Sequence, residues 1–281
     1  MSDLFAAYEK KKEYLICVDS DGCAMDTVEI KHRRCFGPCM VEEWGLENWC
    51  ADILTRWNEI NLYSMTRGIN RFQGLSRMLL EVQEQYTPIE DLDALVQWAQ
   101  TSPELSNPAL EREVQESASV CLRKVLHWSQ AVNRSIERLA QEEKRPFEGI
   151  RQALAYAHRY ADIAVLSSEN LGAVLDEWDF YGLLEHTDMV FAQDAGSKAA
   201  CIEKLMKKGY VSSRVLMCGD APGDLEAARR NGVLFFPILV RHETESWAEF
   251  SAVGISKLVN GTYAGEYQQE KIEQFIGNLG G

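Results

Sequence analysis

The sequence has little positive charge and lacks an apolar amino-terminal segment. Its 281 residues include 43 Asp and Glu against 29 Lys and Arg, a formal net charge of −14. Nucleic-acid phosphates are bound by clustered Lys and Arg, so we expect no nucleic-acid partner. The mixed, charged segment from Met1 to Lys12 is too polar for a signal peptide or a membrane span. We therefore expect a cytoplasmic protein with no membrane partner.

Eight cysteines are scattered along the chain without the spacing of a disulfide framework or a zinc site. The nearest approach to a metal-binding spacing is Cys35 and Cys39 with His32 close by. This group lacks the second pair of ligands that a structural zinc site has. We interpret several of the cysteines as small buried apolar residues.

Five short apolar runs have the character of buried strands in a parallel sheet. Between the later runs, apolar residues recur at helical spacings. Alternating strands and helices predict a doubly wound, Rossmann-like α/β core. The predicted strands are residues 14–18, 163–166, 189–192, 215–218 and 233–240, and the helices between them are 149–159, 170–178, 198–208 and 225–231.

Well over a hundred residues separate the first predicted strand from the second, and this interval has helical periodicity without a convincing strand. We predict α/β core residues 1–30 and 146–281, with a four-helix cap domain inserted as residues 31–145. Two helices near 246–259 and 267–279 are expected to pack on the core. The predicted cap helices are about 41–62, 67–85, 89–100 and 109–142.

Two aspartates, Asp19 and Asp21, follow the first predicted strand at alternate positions. Ligands of open α/β sheets bind beyond the carboxyl ends of the strands. In this place Asp19 could attack a phosphorus atom, while Asp21 protonates the leaving alkoxide and later deprotonates the attacking water. A polar strand end with two solvated aspartates explains this motif alone equally well.

Ser167 and Ser168 follow the second predicted strand, where a hydroxyl and backbone N–H groups could hold a phosphoryl oxygen. Lys198 begins the helix after the third predicted strand and could neutralise charge on the phosphoryl group and on Asp19. Taken alone, Ser167 is more simply a helix cap, and Lys198 is more simply a solvated lysine.

Two more carboxylates, Asp220 and Asp224, follow the fourth predicted strand. Mg²⁺ prefers a few carboxylates together with waters and phosphate oxygens. We predict that Asp19, the backbone carbonyl of Asp21 and Asp220 bind Mg²⁺, with Asp224 bound directly or through water. An Asx-type turn is the alternative explanation of this segment alone.

In this order, the four motifs resemble those of the haloacid dehalogenase superfamily. They are Asp19-Ser20-Asp21-Gly22, Ser167, Lys198, and Gly219-Asp220 with Asp224. The resemblance covers about residues 12–30 and 146–240, and implies phosphoryl transfer through an aspartyl-phosphate with Mg²⁺ as cofactor. Asp21 favours phosphate esters, because the family's dehalogenases lack an aspartate there. We therefore expect a Mg²⁺-dependent phosphohydrolase acting on a small phosphorylated metabolite.

Two other functions stay open at this point. Sugar phosphomutases of the same family share these core residues, and a catalytically silent member could bind phosphorylated metabolites without turning them over. No sequence motif names the substrate. We expect a monomer or a homodimer.

Three cations of the inserted segment are candidates for binding the substrate. Lys31 lies near the place where related mutases carry a polar substrate-facing residue. Arg67 and Arg71 are four residues apart and are predicted to share one helix face, where they could bind a second anionic group. A solvated charged surface explains each of the three more simply.

Overall fold

The computed structural model describes residues 8–280, which form two compact units. One unit combines the described residues up to Val28 with those from Gln141 onward, and the other is the contiguous segment Glu29–Ala140. Predictions that concern Met1 to Ala7 lie outside the described residues. All eight cysteines are free thiols.

The first unit is built on a parallel sheet. Its strands are β1 Tyr14–Val18, β2 Met25–Asp26, β3 Arg145–Pro146, β4 Ala161–Leu166, β5 Met189–Phe191, β6 Val215–Gly219 and β7 Leu234–Pro237. Among the described residues, five of them form one sheet in the order β5-β4-β1-β6-β7, and each neighbouring pair is parallel. The predicted doubly wound α/β fold is thereby confirmed, since the chain winds outward from β1 in both directions.

The central strands are buried on both faces, which is why they appear in the sequence as continuous apolar runs. Leu15 and Cys17 point to one face and Ile16 and Val18 to the other, and none is more than 1% exposed. The helices of this unit that follow β3 are Ile150–Ala157, Leu171–Phe180, Lys198–Met206, Pro222–Asn231, Glu243–Glu249, Ile255–Val259 and Glu266–Asn278. None of the described helices is long and apolar enough to cross a membrane.

The short strands β2 and β3 form a separate antiparallel pair, with Met25 opposite Pro146 and Asp26 opposite Arg145. The N–H of Phe147 extends this pair by donating to the carbonyl of Ala24 at 3.0 Å. Strands of two residues show neither an apolar run nor an alternation, so they could not be predicted from periodicity. The pairing places the departing and returning chain side by side.

The second unit is a contiguous helical segment with an aromatic core. Trp57 and Trp128 are fully buried and meet edge to face with their ring centroids 6.2 Å apart. The indole N–H of Trp128 donates to the carbonyl of Phe36 at 3.2 Å, so this buried donor is satisfied. The main helices are Gly37–Trp44, Cys50–Leu62, Arg71–Gln85, Leu92–Thr101, Asn107–Glu116 and Val120–Glu137.

The prediction of four helices in this segment was wrong, because two of the predicted helices are each divided in two. Gly45 adopts a left-handed conformation with φ of 65° and ends the first half of the helix predicted over 41–62. Ser119 begins a new helix within 109–142, where its hydroxyl accepts the N–H of Leu122 at 3.1 Å. The apolar periodicity runs across both breaks and therefore does not reveal them.

A buried carboxylate, Asp188, ties the segment before β1 to the sheet. It accepts hydrogen bonds from the ammonium of Lys11 and the N–H of Ile163, both at 2.9 Å, and contacts Nε2 of His158 at 3.0 Å. Burial alone would raise the pKa of Asp188, but Lys11, the Ile163 N–H and His158 lower it below its ordinary value. Ionised Asp188 therefore stabilises the fold.

Asp188→Asn is expected to reduce the free energy of unfolding by about 1–3 kcal/mol at neutral pH, because a charged acceptor is lost. A lowered pKa contributes stability above the unfolded-state value near 3.9, and this contribution disappears as the pH falls through the folded-state value. In urea unfolding, the difference from wild type should be fully present at about pH 5 and shrink below about pH 4. Glu185→Gln, at an exposed ion pair with Arg151, is the matched control and should have little effect. A difference that is unchanged near pH 3 would contradict this explanation.

Candidate active site

The predicted functional residues lie beyond the carboxyl ends of neighbouring strands. Val18 pairs with Val165 in β4 and with Cys218 in β6. Parallel strands in this register end together, so the residues after β1, β4 and β6 meet although they are far apart in the sequence. The N–H of Asp19 donates to the carbonyl of Cys218 at 3.0 Å and extends the β1–β6 pairing into the site.

Lys198 lies between two buried carboxylates. Its ammonium is 2.7 Å from Oδ2 of Asp19 and 2.6 Å from Oδ1 of Asp224. Ser197 begins the helix Lys198–Met206, because its hydroxyl accepts the N–H of Ala200 at 3.2 Å. The start of this helix thus carries the lysine to the end of β1.

Backbone groups fix the other oxygens of these carboxylates. Oδ1 of Asp19 accepts the N–H of Ser20 at 2.7 Å, and Oδ2 of Asp224 accepts the N–H of Ala221 at 3.1 Å. Asp224 packs directly on Gly219, where a Cβ atom would lie only 2.4 Å from the Asp224 side chain. A glycine is therefore required at 219 to admit the carboxylate.

Burial dominates the electrostatics of the site. Burial raises the pKa of Asp19 well above its ordinary value. The nearby charge of Lys198 lowers this pKa, whereas the charges of Asp224 and Asp220 raise it further. Burial would lower the pKa of Lys198, but the two carboxylates beside it raise that pKa above its ordinary value. Lys198 therefore stays charged, and these four side chains together carry more negative than positive charge.

The carboxylates fit a hard divalent cation. Asp19, Asp220 and Asp224 each place an oxygen within 4.8 Å of the others, and all three are buried. Like charges at such separations repel by on the order of a few kcal/mol per pair in a protein environment. Mg²⁺ prefers carboxylate oxygens and would offset this repulsion. The donor set therefore suits Mg²⁺.

Asp21 is half-buried and belongs to a second group of carboxylates. Its Oδ1 accepts a hydrogen bond from the hydroxyl of Thr27, which is fully buried. Asp21, Glu169 and Glu177 each place an oxygen within 4.8 Å of the others. Glu177 is 2% exposed, and its Oε1 lies 3.0 Å from the ammonium of Lys144.

Thr27, Glu169 and Glu177 were not foreseen as site residues. Thr27 lies within residues 12–30, which the family resemblance covers, so a signal for it was present. Glu169 directly follows Ser168, so its position in the sequence also indicated that it lies near the site. Glu177 lies inside the helix Leu171–Phe180, where nothing in its spacing points to the site.

Ser167 is buried at the end of β4, whereas Ser168 is exposed. The N–H of Ser167 donates to the carbonyl of Phe191 at 2.8 Å, and its hydroxyl oxygen accepts the N–H of Glu169 at 3.1 Å. A hydroxyl that accepts one hydrogen bond still has its own hydrogen to donate. The hydroxyl of Ser167 thus accepts one hydrogen bond within the turn and can donate another.

The prediction that Arg67 and Arg71 share one helix face was wrong. Helix Arg71–Gln85 begins at Arg71, because the side chain of Asn70 accepts the N–H of Phe72 at 3.0 Å. Gly68, with φ of 72°, turns the chain just before it, and Arg67 lies in that turn.

Both arginines make contacts inside the helical unit. Nη1 of Arg67 donates to the carbonyl of Leu62 at 2.9 Å, and Arg67 is buried. Nη1 of Arg71 donates to Oδ1 of Asn133 at 2.7 Å and to the hydroxyl of Ser129 at 3.1 Å. Lys31 is also buried, in the short helix Val28–Lys31. A substrate-binding role for these three cations stays a prediction.

Comparison with known proteins gives the site a family context. A family model described as haloacid dehalogenase-like hydrolase matches residues 97–238, half of the chain. The matched segment contains Ser167, Lys198, Asp220 and Asp224, and Asp19 precedes it. No match was found among curated proteins.

Several solved structures align with this chain. A haloacid dehalogenase-like family hydrolase from Xanthomonas campestris aligns with a TM-score of 0.52 and 11% identity, over 90% of this chain and 97% of that one. A haloacid dehalogenase-like family protein from Streptococcus pneumoniae aligns with a TM-score of 0.42 and 14% identity, over 79% and 82%. The first of these alignments supports the fold alone, because the identity is only 11%.

Asp19→Asn is expected to stabilise the metal-free protein. Folding raises the pKa of Asp19, so its charged form is disfavoured at every pH above the unfolded-state value. In thermal unfolding with EDTA, the variant should melt above wild type at about pH 8 and by a smaller margin at about pH 5. Asp176→Asn, an exposed change of the same kind, should not differ from wild type. A variant that melts at or below the wild-type temperature would refute the electrostatic account.

Proposed function

Because the chain belongs to the haloacid dehalogenase-like hydrolases, we propose that it is a Mg²⁺-dependent phosphatase that hydrolyses a small phosphorylated metabolite. The observation that carries this proposal is the ammonium of Lys198 between the buried carboxylates of Asp19 and Asp224. Asp220 places a carboxylate oxygen within 4.8 Å of an oxygen of each of these two carboxylates. Such a site favours a ligand that brings in phosphate together with a divalent cation.

Asp19 is the proposed nucleophile. Lys198 holds its Oδ2 and the Ser20 N–H holds its Oδ1, so the orientation of the carboxylate is restricted. Its attack on phosphorus forms an aspartyl-phosphate and breaks the bond from phosphorus to the ester oxygen. Water then attacks the phosphorus, which releases inorganic phosphate and restores the Asp19 carboxylate.

Asp21 is the proposed general acid and base. It gives a proton to the departing ester oxygen and later takes a proton from the attacking water. The hydrogen bond from Thr27 to Oδ1 of Asp21 restricts the rotation of this carboxylate. Thr27 is therefore proposed to be a positioning residue for Asp21.

The remaining residues serve the phosphoryl group. Asp19, Asp220 and Asp224, with the backbone carbonyl of Asp21, would hold Mg²⁺. The bound cation supplies positive charge to the phosphoryl oxygens and offsets their repulsion with the carboxylates. Lys198 adds a second positive charge, and the hydroxyl of Ser167 donates to a phosphoryl oxygen. Ser168 is exposed beside it and is proposed to contact the bound substrate.

Phosphate release from a panel of phosphate esters tests the proposal. Wild type with Mg²⁺ should turn over at least one ester. EDTA, which removes the proposed cation, and Asp19→Asn, which removes the attacking carboxylate, should each reduce the rate by at least about a thousandfold. Asp176→Asn is the control and should keep the wild-type rate. No release by a folded, Mg²⁺-binding protein would contradict the phosphatase assignment, as would full activity in Asp19→Asn.

Product analysis by phosphorus NMR separates the two other functions. A mutase would convert one sugar phosphate into an isomer and would need a sugar bisphosphate to restore its aspartyl-phosphate. A binding protein would retain the ester unchanged. A phosphatase releases inorganic phosphate and needs no sugar bisphosphate.

Thr27→Val is expected to lower kcat about tenfold with little change in KM, because Asp21 acts mainly in the transition state. Thr27→Ser keeps the hydroxyl and should retain most of the activity. Thr55→Val is a control at an exposed threonine whose hydroxyl donates to the carbonyl of Ala51. Steady-state kinetics on the best ester gives the answer, and an unchanged kcat in Thr27→Val would rule out the positioning role.

A further inference from the structure

Residues 19–25, here called the nucleophile loop, are wound around one carbonyl group. The carbonyl of Ser20 accepts the N–H groups of Cys23, Ala24 and Met25 at 3.3, 2.9 and 2.9 Å. Gly22 turns the chain with φ of 80°. Asp19 and Asp21 stand on either side of Ser20 in the sequence, so a displacement of Ser20 moves both proposed catalytic carboxylates.

The side chain of Ser20 is fully buried and accepts a hydrogen bond from an indole. Nε1 of Trp178 donates to Oγ of Ser20 at 2.9 Å. Trp178 is itself fully buried in the helix Leu171–Phe180. This helix follows Ser167 and Ser168, so the bond links the proposed phosphate-binding turn to the nucleophile loop.

A second indole contacts the loop at its other end. Nε1 of Trp247, on the helix Glu243–Glu249, donates to the carbonyl of Cys23 at 2.9 Å. Trp247 is fully buried and packs edge to face on Phe250 with their ring centroids 5.2 Å apart. Trp178 belongs to the same apolar cluster, so close packing holds both donors in place.

An indole has one N–H donor, and burying it without an acceptor is costly. Each indole therefore favours the loop position that presents its acceptor. We propose that Trp178, through Ser20, is a positioning residue that sets the nucleophile loop for catalysis, and that Trp247 braces the same loop through Cys23. This inference rests on the proposed function.

Trp178→Phe tests the role because it removes the N–H and keeps an aromatic ring. Tyr263→Phe is the matched control: it removes a buried hydroxyl that donates to the carbonyl of Phe235 at 2.8 Å, outside the loop. Both variants lose one buried donor in the same unit. A structural role alone would lower the unfolding temperature of both and change neither kcat nor the response to Mg²⁺.

The positioning role predicts a different result for Trp178→Phe. Its kcat should fall about tenfold or more with KM within about twofold of wild type, because small displacements of a reacting group are costly. Mg²⁺ should also raise its unfolding temperature less than it raises that of Tyr263→Phe, since Asp19 is a proposed ligand. Ser20→Ala should show the same defects, and the double variant should be no worse than either single variant.

The outcomes are distinct. Wild-type kcat and Mg²⁺ response in Trp178→Phe or Ser20→Ala, with unfolding temperatures like that of Tyr263→Phe, would overturn the inference and leave the phosphatase assignment intact. Absence of Asp19-dependent turnover in wild type would instead overturn the assignment itself. If Trp178→Phe does not fold, Ser20→Ala decides, because it removes the acceptor with a smaller change of volume.

Discussion

The burial of three carboxylates at the carboxyl ends of a parallel sheet is the constraint on which the rest of this structure depends. Removing ionised carboxylates from water is costly unless cations and hydrogen-bond donors replace the water. Lys198 contacts Asp19 and Asp224, and the N–H groups of Ser20 and Ala221 satisfy their other oxygens. The strands and helices that deliver these donors have to be in register for the site to exist.

The apolar core supplies the stability that such a site requires. Burial of apolar surface contributes roughly 25 cal/mol per Å², and the strands that carry the site are buried on both faces. Trp178 and Trp247 join this core to the site, because their rings pack in the apolar cluster while their N–H groups contact Ser20 and Cys23. Packing and polar contacts therefore act on the same loop.

The sheet and most residues of the candidate site could be predicted from the sequence, because parallel strands are short continuous apolar runs and ligands bind beyond their carboxyl ends. Asp19, Lys198, Asp220 and Asp224 were found in this way. The helix boundaries in the inserted segment were not, since Gly45 and Ser119 interrupt helices without disturbing the apolar periodicity. Glu177 and Trp178 were also missed, because a residue inside an amphipathic helix shows no sign of what its side chain will contact.

The position of β1 in the sheet has a consequence for biosynthesis. β1 is made first, yet both of its partners, β4 and β6, lie beyond the inserted helical unit. The helical unit is contiguous and contains its own apolar cluster, so it is the first part of the chain to emerge with all of its partners present. Until β6 and the residues after it have been made, Asp19 lacks Asp220 and Asp224, and the apolar strand β1 has an unpaired side. The candidate site therefore cannot assemble before the segment that carries Asp220 and Asp224 has been made.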